Sequence, residues 1–174
     1  MVKRDIEKGR LLENINLKCF TSWHIGGDAE FLYWPKNLID LQNFLMTCPK
    51  TPITFLGLGS NTLISDLGVP GTVIITSGTI KEMELLDRQT IRAEAGVSCG
   101  QLVRFAIKHN LVGAEFLAGI PGTIGGALYM NAGAFGKSIW QYVVAVETLT
   151  SQGVLSKRTA DAFAPGYRYC AGLD

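Results

Sequence analysis

The sequence predicts an α+β fold in two lobes, and three observations carry that expectation. Short apolar strands are mixed with a few helices in no regular alternation, which argues against a repeating βαβ sheet. Hydrophobic residues make up 47% and charged residues 18%, apolar enough for a buried core and too apolar for disorder. The 20 glycines exceed the usual share of about 7% and gather in three stretches, a sign of tight turns or close backbone approach.

The first lobe reads as β-α-β-β over residues 14–77, after a lead-in at 1–13. Ala29 to Trp34 is a short apolar strand stopped by Pro35. Asn37 can cap a helix with Leu38, Leu41, Phe44 and Leu45 on one face, ended by Pro49 and Pro52. Ile53 to Leu56 and Thr72 to Thr76 read as buried strands.

The second lobe, residues 78–174, opens with strands at Ile80 to Leu86 and Thr90 to Ala95 around the turn Asp87-Arg88-Gln89. Ser98 and Gln101 stand at capping-box spacing before a helix whose apolar face is Leu102, Phe105 and Ala106. Tyr142 to Thr150 alternates as a strand, and Ser151-Gln152-Gly153 turns it back into Val154 to Ser156. Thr159 can cap a short helical turn running to Phe163.

Several classes of function are disfavoured. A net charge of +1 with scattered Lys and Arg argues against nucleic-acid binding. Cys19, Cys48, Cys99 and Cys170 form no close pair, and His24 and His109 are isolated, so neither a disulfide framework nor a metal site is expected. Met1 to Arg10 is charged with no apolar run behind it, so no secretory leader is expected. No stretch approaches the roughly 20 apolar residues of a membrane span.

Two glycine motifs carry the chemistry. Gly57-Leu58-Gly59-Ser60-Asn61 follows a strand directly and can aim several backbone N–H groups at one point, a nest suited to pyrophosphate. It lacks the third glycine of a dinucleotide fingerprint and the lysine of a P-loop, and such a turn can also be purely structural. The second motif is Gly119-Ile120-Pro121-Gly122-Thr123-Ile124-Gly125-Gly126, continued by Asn131-Ala132-Gly133-Ala134-Phe135-Gly136. Its glycine density rules out an ordinary helix and fits either a packed turn or a loop and helix start pressed against a ligand.

These motifs, with Thr21-Ser22-Trp23-His24-Ile25-Gly26-Gly27 before them and Gly166-Tyr167-Arg168 after, resemble the UDP-N-acetylenolpyruvoylglucosamine reductases in order and spacing. The resemblance runs from about Asn14 to Arg168. It implies a two-lobed FAD-binding domain of the PCMH type, which the vanillyl-alcohol-oxidase-like flavoproteins share, with the family's C-terminal substrate domain lying outside this sequence.

The implied roles follow by position. Gly57, Leu58, Gly59, Ser60 and Asn61 hold the FAD pyrophosphate. Gly119, Ile120, Pro121, Gly122, Thr123, Gly125 and Gly126 line the flavin and its phosphate arm. Asn131, Ala132 and Gly133 lie near the isoalloxazine, and Ile25, Gly26 and Gly27 shape the site from the first lobe. Arg168 pairs with the substrate carboxylate and is the catalytic candidate. NADPH is the implied co-substrate, and the reaction serves peptidoglycan synthesis in the bacterial cytoplasm. FAD is expected to be held non-covalently, with neither His24 nor Cys99 bonded to it. A β-branched residue at Gly59 is expected to cost FAD affinity more than folding. No obligatory protein partner is implied. The family's proton-donating serine and assisting glutamate have no counterpart in this sequence, and Cys170 stands where the family usually has serine in Tyr-Arg-x-Ser. The alternative is a module that holds FAD or an adenine nucleotide without turnover.

Overall fold

The computed structural model describes residues 7–47 and 52–173. The expected helix stop at Pro49 and the surroundings of Cys48 lie outside them.

A four-stranded sheet forms the first lobe. Its strands are β1 (Leu11–Asn16), β2 (Asp28–Tyr33), β3 (Ile53–Leu56) and β4 (Val69–Ile75), in the order β1-β2-β4-β3. β1 pairs antiparallel with β2, while β2 and β3 both run parallel to β4. The lobe is therefore ββαββ; the sequence reading missed β1. Asn14 adopts φ 53 inside that strand, and its burial pattern shows no alternation.

Alternation along β2 and β4 sends side chains to two separate cores. Leu32, Trp34, Val73 and Ile75 point to one face and join Leu17, Phe20, Leu56 and Ile64. Tyr33 and Ile74 point to the other, where α1 (Leu38–Thr47) lays down Leu41 and Leu45. The Asn37 side chain accepts the Asp40 N–H at 2.9 Å, as the pattern predicts for a cap. Tyr33 stacks on Phe44 at 3.7 Å and donates to Asp40, and burial followed by that carboxylate pushes its phenol upward.

The second lobe is built from small paired strands around one core rather than from a single large sheet. β5 (Met83–Leu85) pairs with β6 (Ile91–Ala93), and both are shorter than predicted. α2 (Cys99–Lys108) starts at a complete Ser98–Gln101 capping box. Its buried positions are Cys99, Val103 and Ala106; Phe105 lies at the edge and packs against His109. α3 (Ile124–Tyr129) grows out of the second glycine motif, so those glycines do enter a short helix.

Two hairpins follow that the sequence did not reveal: β7 (Gly133–Ala134) with β8 (Lys137–Ser138), and, later, β11 (Ala164–Gly166) with β12 (Tyr169–Ala171). Between them, β9 (Ala145–Leu149) pairs with β10 (Leu155–Thr159). The turn Ala160–Ala162 is 3-10 helical, and Thr159 makes no side-chain cap to it. Cys170 faces the core beside Val97, Trp140 and Phe163 and does not line the cleft. The lobes meet where Gly153 packs on α1, accepting from the Gln42 amide at 3.4 Å.

Candidate functional site

A cleft of about 1680 Å³ runs between the lobes, larger than the ~300–1,000 Å³ of ordinary small-ligand pockets. Its walls include the turn after β3, the loop leading into α3, the segment from α3 to β7, and the β11–β12 turn.

The turn after β3 places Gly57 to Asn61 on one wall. The backbone N–H groups of Leu58, Gly59, Ser60 and Asn61 donate to no other described group. Adjacent unpaired N–H groups form a partial positive charge suited to a phosphate oxygen. The turn is braced from behind, because the Gly59 carbonyl accepts the Ser22 N–H at 3.1 Å and Thr21 Oγ1 donates to the Ile25 carbonyl at 3.0 Å. Gly59 sits at φ 68, and a Cβ there would run into the Phe20 carbonyl. The expectation that a β-branched residue at Gly59 costs FAD affinity more than folding does not fit this geometry: a Cβ there meets protein backbone, so the substitution disturbs the fold itself.

The loop into α3 forms the adjoining wall. The Gly122 carbonyl accepts the Cys99 N–H at 3.0 Å, and the Ile124 N–H donates to the Val97 carbonyl at 2.8 Å. These bonds pin the loop to the start of α2. Buried Thr123 caps α3, its Oγ1 accepting the Gly126 N–H at 3.3 Å. The same hydroxyl lies against Gly57, and Ser60 donates to the Pro121 carbonyl, so the two motifs interlock. The N–H groups of Gly122 and Thr123 donate to no other described group.

Not every glycine here serves the same purpose. A Cβ on Gly125 would press on Ala95, and one on Gly133 would press on the Lys137 carbonyl across the β7–β8 hairpin. A Cβ on Gly122 or Gly126 would meet only a hydroxyl at 3.5 Å. Both residues line the cleft, so packing does not account for their lack of side chains.

Asn131, Ala132, Gly133, Tyr167 and Arg168 line the cleft too. Asn131, at φ 43, donates through Nδ2 to the Gly166 carbonyl at 3.0 Å, while its buried Oδ1 has no partner among the described residues. Arg168 occupies the β11–β12 turn at φ 62, exposed, with its guanidinium 5.9 Å from the Tyr167 ring. No ion pair among the described residues involves it.

Gly119 and the Ile25-Gly26-Gly27 segment lie off the cleft wall. A Cβ on Gly27 would strike the Asp66 carbonyl, and one on Gly26 would strike Ile64, so these two glycines admit the 64–68 turn. The sequence reading missed Arg92, whose Nη2 pairs with Glu147 at 2.7 Å and ties β6 to β9 on the wall. The two residues are 55 positions apart, and no local pattern signals the pair.

No cysteine or histidine is among the lining residues. Cys99 is buried, which pushes its thiol up to about 11, and His24 is exposed. Among the described residues, no group of three or more His, Cys, Asp or Glu could hold a metal ion, and no helix is long and apolar enough to cross a membrane.

Comparison with known proteins follows the same lines. The FAD binding domain family matches residues 29–157. A UDP-N-acetylenolpyruvoylglucosamine reductase from Legionella pneumophila (strain Corby) is 50% identical over 167 residues, covering 95% of this chain and 54% of its own. One from Coxiella burnetii (strain Dugway 5J108-111) is 45% identical over 187 residues, covering 96% and 59%. The chain thus spans about half the length of the curated relatives it matches. The crystal structure of the Thermus caldophilus enzyme superposes with a TM-score of 0.73 at 29% identity, covering 92% of this chain and 56% of that one. The chain belongs to the FAD-binding domain family, in the form carried by UDP-N-acetylenolpyruvoylglucosamine reductases.

Proposed function

We propose that this chain holds FAD, non-covalently, for the NADPH-dependent reduction of UDP-N-acetylenolpyruvoylglucosamine to UDP-N-acetylmuramate, a cytoplasmic step of bacterial cell-wall synthesis. The observation that carries the proposal is the pair of interlocked loops: residues 58–61 and 122–123 line one cleft, their N–H groups donate to no described group, and a Cβ on Gly122 or Gly126 beside them would meet only a hydroxyl at 3.5 Å. When bound, FAD supplies hydride transfer between the nicotinamide and the enolpyruvyl double bond.

The chain's own residues bind and orient. Leu58 to Asn61 hold the pyrophosphate with backbone donors and the Ser60 and Asn61 side chains. Gly122 and Gly126 admit the ring system closely, with Ile120, Pro121 and Thr123 around it. Asn131, Ala132 and Gly133 close the side nearest Arg168. The Arg168 guanidinium, permanently charged and forked, grips the substrate carboxylate and stabilises the negative charge that builds there. Its backbone supports a functional role, because a left-handed arginine costs about 1–2 kcal/mol that glycine would not.

The test is an anaerobic assay with the protein carrying this chain, NADPH and the enolpyruvyl sugar, following the sugar product directly. Formation of UDP-N-acetylmuramate is expected, dependent on bound FAD. Bound FAD with NADPH oxidation but no sugar product would favour a flavin-holding module of another kind.

A further inference from the structure

The β11–β12 turn that carries Arg168 has only two residues at its tip, Tyr167 and Arg168, and both side chains are exposed. Such a short hairpin does little to fix its own orientation. Cys170 anchors β12 in the core, and Arg158 donates to the Gly172 carbonyl beyond it. At the turn itself, the side-chain hydrogen bond from elsewhere in the chain among the described residues is that of Asn131, 35 positions away, whose Nδ2 donates to the Gly166 carbonyl at 3.0 Å. Gly166 closes the turn opposite Tyr169, so the bond acts at the base of the tip.

We infer that Asn131 is a positioning residue for Arg168: its amide clamps the Gly166 carbonyl and so sets where the guanidinium meets a carboxylate. The inference rests on the proposed role of Arg168.

Two properties make asparagine the fitting residue here. It must adopt φ 43 at the end of α3, a left-handed conformation that asparagine tolerates better than most side chains. It must also present an N–H donor to a carbonyl, which aspartate cannot do when ionised. Since only Nδ2 can face a carbonyl, the amide orientation is fixed, and Oδ1 is turned to the side where it has no described partner. The bond also ties the segment expected to lie along the flavin to the segment expected to lie along the substrate.

The test uses the FAD-saturated protein and three variants. Asn131→Gly keeps the left-handed backbone and removes the amide. Asn131→Asp keeps the shape and regains a donor only when protonated. Arg168→Ala reports whether the arginine matters at all. Amide hydrogen exchange at Tyr167 to Tyr169 is expected to quicken by about tenfold in Asn131→Gly, the loss of one hydrogen bond. Affinity for the enolpyruvyl sugar is expected to fall by a similar factor. In Asn131→Asp that affinity is expected to recover as the pH falls from about 6 to about 4, the range in which an aspartate of ordinary pKa, about 3.9, gains its proton, while the wild type shows no such recovery.

Unchanged exchange in Asn131→Gly would overturn the inference. So would faster exchange with unchanged sugar affinity, provided Arg168→Ala lowers that affinity. If Arg168→Ala leaves it unchanged, the role of Arg168 fails and the positioning inference fails with it, whereas FAD binding stands untouched.

Discussion

Replacing Gly126 with leucine is expected to leave the fold intact and abolish FAD binding. Gly126 is exposed in α3, and a Cβ there meets nothing closer than the Thr123 hydroxyl at 3.5 Å. Leucine is the better helix former, so the apo protein should be unchanged or steadier, by up to about 1 kcal/mol. The added side chain would fill space on the cleft wall that a ligand pressed to the backbone needs. The expected loss of FAD affinity is at least about 10²-fold, as a steric block rather than a lost contact would give. Thermal melting of the apo protein beside FAD titration separates the two effects. A Gly126→Leu protein that melts normally and binds FAD as tightly as wild type would place the flavin elsewhere.

Arg168→Ala is expected to lower kcat for sugar reduction by about 10²–10³-fold, the usual cost of removing one group that stabilises developing charge. FAD affinity should not change, since the proposed role of the guanidinium is toward the substrate carboxylate. Lysine should rescue poorly, because it offers a point charge in place of a planar fork. Arg168→Gly should behave like alanine in the assay while relaxing the left-handed turn. Normal turnover in the alanine variant would remove Arg168 from the reaction.

The order of the main elements was legible because the signals were local. Asn37 and the Ser98–Gln101 pair announced their helices through residues three apart, and both caps form. Strands of two or three residues, such as β7, β8, β11 and β12, are too short to show alternation and passed as loop. β1 was hidden by Asn14, whose left-handed backbone interrupts a strand that has little burial pattern of its own.

The site was legible as a set of motifs, less so in the division of labour within them. Clustered glycine shows that something approaches the backbone, but only the fold says what. At Gly27 it is the Asp66 carbonyl, at Gly59 the Phe20 carbonyl, and at Gly125 Ala95. At Gly122 and Gly126 a Cβ would meet only a hydroxyl, at 3.5 Å. The Asn131–Gly166 bond and the Arg92–Glu147 pair join residues 35 and 55 positions apart, distances at which a single sequence carries no spacing signal.

The central claim is that one extended cleft holds a whole dinucleotide, pyrophosphate on Leu58 to Asn61 and flavin on Gly122 to Gly133. Titrating the apo protein with FAD and, separately, with FMN tests it most directly. FMN has the flavin and one phosphate but lacks the pyrophosphate and adenosine. Hydrogen bonds to a charged group contribute about 1.5–3 kcal/mol each, so losing even two of them should weaken binding by about 10²-fold or more. FAD binding at least that much tighter than FMN is the expected result. Equal affinity for the two would contradict the account, because it would mean that the turn after β3 does not hold the pyrophosphate.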